Sequence, residues 1–233
     1  FNPLICHVAS LGMAQTIGAF DPLSLNLAET FWPGPLTLVV PLREGAGISG
    51  LVTAGLATVA LRMPRGAAGE IITLLGRPLA APSANVSGHI SATSAAAVEA
   101  DLGASVPLIL DGGPAPVGLE STIVKVEDGK AFLLRPGGLA AAEIEVAMGV
   151  RLIRMDQRAA VEAPGMLESH YAPRAALRLN VVEVREGEAL LAFGDRRTAG
   201  AETARAELNL SPTGNLCEAA ANLFACLRQL DSS

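Results

Sequence analysis

The pair Asp128-Gly129 constrains this chain more than any other two residues. It separates a short β-branched run, Thr122–Val126, from a short apolar one, Ala131–Leu134. Glycine takes positive φ without steric cost and aspartate tolerates it, so Asp-Gly between apolar runs predicts the turn of a β-hairpin. Upstream, Leu36–Leu42, Leu56–Leu61 and Val106–Leu110 have the length and composition of further strands. Helical runs are predicted between them at Ser10–Phe20, Ser24–Phe31, Ala67–Leu75 and Thr93–Leu102. The first two open on a serine able to cap orphan amides, and Gly76 and Gly103 close the last two. Trp32-Pro33-Gly34-Pro35 stops the second helix. A hairpin inside such an alternation predicts an α/β fold whose sheet is partly antiparallel.

The text changes after about residue 153. From 154 to 176 no periodicity persists, and Pro164-Gly165 and Ala172-Pro173 mark an ordered linker. Beyond it, Leu177–Val184 and Ala189–Phe193 are predicted strands around a Glu186-Gly187-Glu188 turn. Leu216–Leu230 carries Leu216, Ala219, Ala220, Leu223, Phe224, Leu227 and Leu230 on one helical face. The expected organisation is a first α/β domain at 1–153, a linker or lid at 154–176, and a smaller α/β domain at 177–233. The chain begins directly in apolar text (FNPLICHV) and stops just past a strong helix, which reads as a piece of a longer chain.

Composition narrows the function classes. Half of the residues are apolar and only 3% are aromatic, so the core is expected to be built from small and branched aliphatics. The formal charge is −6 and no basic run exceeds Arg196-Arg197, so strong direct nucleic-acid binding is not expected. Cys6, Cys217 and Cys226 lack CxxC spacing and read as buried free thiols of a reducing compartment. No apolar run reaches the ~18 residues of a membrane span, and the beginning lacks a signal-peptide plan, so a cytoplasmic location is expected.

Five constellations stand out. Ala81-Pro82-Ser83-Ala84-Asn85-Val86-Ser87-Gly88 is either a loop whose hydroxyls and amide receive a polar ligand, or a plain polar turn with a helix cap at Ser91 or Thr93. Leu119-Glu120-Ser121-Thr122 enters one hairpin strand and Arg135-Pro136-Gly137-Gly138 leaves the other. The hairpin register would bring Ser121 and Arg135 together as an anion site; a surface arginine beside a Pro-Gly turn is the plainer alternative. Arg62 closes an apolar strand, where a charge is costly without a partner or a cleft, whereas Arg65 reads as solvated. His7 lies in apolar text and reads either as a hydrogen-bonded core residue or as a ligand contact. Pro164-Gly165-Met166 and His170-Tyr171-Ala172-Pro173 suggest a linker that packs down on something. The usual nucleotide cradles, GxxxxGK[ST] and GxGxxG after a strand, are read as absent, as are metal-ligand spacing among His7, His89 and His170 and a GxSxG elbow.

Taken in order, FNPLICHV, TFWPGPLTLVV, VALRMP, APSANVSG, EST entering TIV, LLRPG and PGM…HYAP resemble the YrdC/Sua5 family. The HYAP linker and the α/β tail resemble its longer two-domain Sua5 type. The resemblance implies a YrdC-like twisted mixed sheet with a concave cleft, plus a smaller Rossmann-like C-terminal domain. It also implies a nucleotidyltransferase activity. Threonine's amine captures bicarbonate or CO2, and the new carboxylate attacks the α-phosphorus of ATP. Pyrophosphate leaves, giving threonylcarbamoyl-AMP for N6-threonylcarbamoyladenosine formation in tRNA by a separate threonylcarbamoyl transferase complex. Mg2+ is expected with ATP, its ligands being unassigned.

By the same resemblance, His7, Arg62, Ser83 and Ser121 would hold threonine, with Arg62 on its carboxylate. Asn2, Thr58, Asn85, Thr93, Arg135 and Tyr171 would contact ATP or the adenylate. No residue is expected to act as a nucleophile, catalysis being by substrate placement. Two motifs that family members carry before the FNPLI-like run, P-T-E-T-x-Y-G-L-like and K-x-R, are not in this sequence, and Glu168 and Ser169 replace the aromatic and basic residues often seen in the linker. Two other classes share parts of this pattern: an RNA-binding YrdC-like module without synthase activity, and a carbamoyl-phosphate-handling domain. The acidic balance opposes the first, and the HYAP linker and tail oppose the second.

Overall fold

The hairpin is present, with positive φ at both Asp128 (50°) and Gly129 (70°) as a tight turn between twisted strands requires. The structure, a computed structural model, describes residues 3–154, 164 and 172–232. In chain order the elements are β1 (Ile5–His7), α1 (Leu11–Ile17), α2 (Pro22–Phe31), β2 (Leu36–Pro41), α3 (Gly50–Thr53), β3 (Thr58–Arg62), α4 (Ala67–Leu75) and β4 (Leu79–Ala81). There follow α5 (Ala95–Leu102), β5 (Thr122–Glu127), β6 (Lys130–Arg135), α6 (Ala141–Met148), β7 (Ile153–Arg154), β8 (Leu190–Ala192), β9 (Glu207–Asn209) and α7 (Leu216–Asp231). Contacts divide the chain into two compact units, Phe1–Pro82 with Glu120–Glu168, and Ser83–Leu119 with Ser169–Ser233.

The first unit is built on one sheet of order β4-β1-β3-β2-β5-β6-β7. Its neighbours β1/β3, β2/β5 and β6/β7 run parallel, while β1/β4, β2/β3 and β5/β6 run antiparallel, so the sheet is mixed as expected. One face carries Cys6, Leu36, Leu38, Val40, Val59, Leu61 and Val124 against Ala14 and Ile17 of α1, Leu27 and Ala28 of α2 and Ile144 of α6. The other face holds a smaller cluster of Ile5, Val39, Ala60, Ile123 and Leu134. Ser10 caps α1 by accepting from the Met13 amide at 3.1 Å. Helix α2 begins earlier than predicted from Ser24. Asp21 accepts the Ser24 amide at 2.7 Å, and Pro22, whose φ is already helical, fills the first turn.

The second unit contains α5, the parallel pair β8/β9 and α7, whose cap Asn215 accepts from the Cys217 and Glu218 amides. The parallel pair followed by a helix agrees with an α/β tail, but two predicted strands are corrected. Leu177–Val184 forms only a bridge from Glu183 to Ala199, and Val106–Leu110 pairs with nothing among the described residues. Both have β-branched content, yet a strand exists only where backbone groups find a partner strand, and Leu179 and Leu108 remain 80% and 71% exposed. The cap of α5 is Ser94, not Ser91 or Thr93. Of the cysteines only Cys6 is buried, its thiol pushed up to about 11 by burial; Cys217 is exposed and Cys226 half-buried, which corrects the reading of three buried thiols. No helix among the described residues is long and apolar enough to cross a membrane.

The exit of the hairpin locks onto its entry. A Cβ on Gly137 would lie 2.3 Å from the Glu120 carbonyl oxygen and 2.6 Å from Ser121 C and Thr122 N. Thr122 Oγ1 donates to the Leu139 carbonyl at 2.6 Å and accepts from the Leu139 amide at 3.1 Å. Gly137→Ala must therefore displace backbone at residues 120–122, and we expect it to lower unfolding stability by about 1–3 kcal/mol in urea titration. Gly112→Ala, where a Cβ meets open space, should stay within about 0.5 kcal/mol of the parent.

Candidate functional site

Strand alternation gives the first unit a polar edge. Ile5 and His7, Ala60 and Arg62, Thr37 and Val39, and Ser121 and Ile123 face away from the α1, α2 and α6 layer. Register places His7 opposite Arg62 in the parallel β1/β3 pair, at the C-terminal ends of both strands. Because β2 runs antiparallel to β3, its beginning lies at that same end, and β5 starts beside it. The hairpin then returns Arg135 to the level of Ile123. The sequence-predicted residues His7, Arg62, Ser121 and Arg135 thus come to one end of one sheet. Thr58 shares the face with Arg62 but sits at the other end of β3, about 13 Å away at ~3.3 Å per residue.

Arg135 is 6% exposed. Its Nε and Nη2 donate to the Ser121 carbonyl at 3.1 and 2.8 Å, Nη2 also to Ser121 Oγ at 3.1 Å, and Nη1 to the Pro164 carbonyl at 3.1 Å. Ser121 Oγ shares a 2.7 Å hydrogen bond with Thr37 Oγ1, and both side chains are buried. Thr37 was not singled out from the sequence. Its trace there is a lone hydroxyl inside the apolar run Leu36–Val40. The alternative of Arg135 as a surface residue is excluded by its burial.

Arg62 donates from Nε to the Gly34 carbonyl at 3.1 Å, and among the described residues its two Nη atoms make no hydrogen bond. The neighbouring Pro33 carbonyl receives Nε of Arg65 at 2.7 Å, so the exposed Arg65 is anchored rather than merely solvated. Gly34 is required there because a Cβ would lie 2.4 Å from the Phe31 carbonyl oxygen. The Trp-Pro-Gly-Pro break therefore serves as a carbonyl bracket for two arginines. Burial works against the Arg62 charge, Glu120 supports it and Arg135 opposes it. Its pKa is lowered on balance, yet an arginine side chain starts so high that it stays a guanidinium near pH 7.

His7 stands opposite Arg62 in the β1/β3 register. Burial first, and the Arg62 charge second, hold its imidazole down to about 4, against an opposing contribution from the Leu79 and Ile5 backbone. It is therefore neutral near pH 7. Its Nδ1 is buried, with no hydrogen-bond partner among the described residues. An unpartnered buried ring nitrogen costs roughly 1–3 kcal/mol, which a core histidine normally avoids.

In the second unit, Asn85 donates from Nδ2 to the Val86 and His89 carbonyls at 2.9 and 3.0 Å, closing its own loop, while its buried Oδ1 has no partner among the described residues. Ser83 is exposed and Thr93 half-buried, with the Thr93 carbonyl accepting the Ala115 amide at 2.8 Å. Asn2 and Tyr171 lie outside the described residues. One sequence statement needs correction: Gly45-Ala46-Gly47-Ile48-Ser49-Gly50 does spell GxGxxG after β2. It opens only the four-residue α3, too short to offer a phosphate a helix N-terminus. Among the described residues no group of three His, Cys, Asp or Glu side chains is arranged to hold a metal.

A mixed sheet with two neighbouring arginines, a buried hydroxyl pair and an imidazole at one end is the polar edge of an α/β protein. Residues 1–137 match the Sua5_yciO_yrdC family model, described as Telomere recombination, and residues 139–233 match the model of the Threonylcarbamoyl-AMP synthase C-terminal domain. The chain belongs to the Sua5/YciO/YrdC family. It is 43% identical over 183 residues to the Threonylcarbamoyl-AMP synthase of Bacillus subtilis, covering 76% of this chain and 53% of that one. Against the protein of the same name from Pyrococcus abyssi it is 44% identical over 180 residues, covering 75% and 52%. The crystal structure of P. abyssi Sua5 complexed with L-threonine superposes with a TM-score of 0.82 at 34% identity, covering 100% of this chain and 72% of that one. The chain spans about half the length of the two curated relatives it matches.

The His7 environment has a pH consequence. Its folded pKa of about 4 lies below the unfolded value of 6.5, so the unfolded state binds the proton first. Its contribution is fully present above pH 6.5 and is lost as pH falls toward 4, by on the order of 2–3 kcal/mol. Urea titrations between pH 7 and 4 should show this loss in the parent and a flatter profile in His7→Gln. Equal slopes would place the imidazole in solvent-like surroundings.

Proposed function

We propose that the chain is the catalytic portion of an L-threonylcarbamoyladenylate synthase, condensing L-threonine, bicarbonate or CO2, and ATP to threonylcarbamoyl-AMP and pyrophosphate. The observation that carries this reading is the pairing of neutral His7 with Arg62, their Nδ1 and Nη atoms respectively finding no partner among the described residues. A small amino acid satisfies both groups at once, giving its carboxylate to Arg62 and a hydroxyl or amine proton to His7. Being neutral, His7 does not repel an ammonium group. The kinship with a protein whose crystal structure is described as complexed with L-threonine supports the choice of amino acid.

Ser121 is held by Thr37 and Arg135, so its hydroxyl has a fixed direction before any ligand arrives. Arg135, with its fork on the Ser121 carbonyl, supplies positive charge next to Arg62 rather than a freely moving clamp. This cationic edge suits a carbamate oxygen approaching a phosphorus atom. Threonine's nitrogen adds to the carbon of CO2 and loses a proton; the resulting carboxylate oxygen bonds to the α-phosphorus as the bond to pyrophosphate breaks. No protein nucleophile enters that balance. Holding three reactants in place can itself lower the barrier by about 7–11 kcal/mol. The roles of Ser83 toward threonine and of Asn2, Thr58, Asn85, Thr93 and Tyr171 toward ATP or the adenylate belong to the same proposal and rest on the family resemblance. The open Oδ1 acceptor of Asn85 is compatible with an amino-group donor. The product would pass to a tRNA threonylcarbamoyl transferase complex, in a cytoplasmic setting.

Pyrophosphate release from ATP should require threonine and bicarbonate together. Arg62→Ala should raise the KM for threonine about 10- to 100-fold, the loss expected for a charge-assisted carboxylate contact. ATP breakdown indifferent to threonine would reject the synthase reading.

A further inference from the structure

The last turn of α7 grips two backbone segments of the second unit. Arg228 and Asp231 are three residues apart and share one face of the helix. Arg228 pairs bidentately with Asp101 of α5, Nη2 to Oδ1 at 2.6 Å and Nη1 to Oδ2 at 3.0 Å. It also donates to the Ile90 carbonyl at 2.8 Å and the Ala97 carbonyl at 3.1 Å. Asp231 accepts two consecutive amides at the end of the linker, Arg174 at 3.1 Å and Ala175 at 2.8 Å. Burial alone would raise its carboxyl, yet the Ala175 and Arg174 amides, with the charges of Arg174 and His89, bring it below its ordinary value. The segment so held reaches the loop of Ser83 and Asn85, because the Ala172 amide donates to the Gly88 carbonyl at 3.2 Å.

The Ser83–Gly88 loop is thus fastened downstream by Arg228 at Ile90 and laterally by Asp231 through the 172–175 strap. Among the described residues the loop has few other ties. Ser83, Val86 and Ser87 are exposed, and the internal ties are the two Asn85 amide bonds and the bond from the His89 amide to the Val86 carbonyl. We propose that Arg228 and Asp231 are positioning residues, a two-point clamp by which the C-terminal helix presents the Ser83–Gly88 loop to substrate. This assignment rests on the reading above that the loop contacts threonine and the nucleotide. It gives the C-terminal helix a part in substrate binding without contacting substrate itself.

The test is amide hydrogen exchange on the whole protein, parent against Asp231→Ala and Asp231→Asn, read beside steady-state kinetics. Losing a charge-assisted acceptor should speed exchange at 172–175 about tenfold, with a parallel increase across 85–90 and none in β2 or β5. Asp231→Asn, which keeps one acceptor oxygen, should recover part of the protection. In the kinetics, Asp231→Ala should raise KM for ATP several-fold with little change in kcat, because only presentation of the loop is loosened. Faster exchange confined to 174–175, with 85–90 unchanged, overturns the clamp. So does a loosened loop with an unchanged KM for ATP. If Asp231→Ala fails to fold, Asp231→Asn and Arg228→Lys are read by the same exchange measurement, and full protection in both overturns the proposal. Should the parent not turn over ATP at all, the synthase reading fails while the exchange result still decides the clamp.

Discussion

The buried fork of Arg135 on the Ser121 carbonyl is the interaction on which the polar edge depends. It ties the start of β5 to the end of β6, and Gly137 keeps the exit of the hairpin close enough for that contact. Ser121 in turn fixes Thr37 at the start of β2. Through β2 the order passes to β3, where the Gly34 carbonyl steers Arg62. A buried guanidinium without acceptors is strongly unfavourable, so the edge assembles as a connected network or not at all. His7 completes the row, its Nδ1 without a partner among the described residues.

This division of labour has a physical logic. Residues engaged with each other, Thr37, Ser121 and Arg135, make a rigid and positively biased floor. Residues with open valence, His7 Nδ1 and the Arg62 Nη atoms, are those a ligand would satisfy. Preorganised charge of this kind acts without reorganisation when negative charge develops at the ligand. Burial first, and the neighbouring Arg62 guanidinium second, keep the imidazole neutral near pH 7.

Much of this was legible from the sequence, for identifiable reasons. The Asp128-Gly129 turn set the register that joins Ser121 to Arg135, and alternation along Thr58–Arg62 told which side chains share a face. Helix α4 runs over the predicted Ala67–Leu75, closed by Gly76 in the left-handed region. Where the reading failed, partners were the cause. Val106–Leu110 and Leu177–Val184 look like strands by composition, but pairing is non-local and no composition encodes it. Thr37 was hidden because a hydroxyl in an apolar strand has many innocuous uses. The backbone carbonyls of Pro33 and Gly34 that seat two arginines have no side-chain signature at all.

The account stands or falls on His7 Nδ1 and Arg62 acting together as the receptor of threonine. The direct measurement is 15N NMR of the His7 imidazole during L-threonine titration at pH 7, in the parent and in Arg62→Ala. The account predicts a neutral ring whose Nδ1 resonance moves as it gains a hydrogen bond, saturating with threonine binding and absent in the variant. Threonine binding that leaves the His7 resonances untouched, or that survives the loss of Arg62 unchanged, would contradict it.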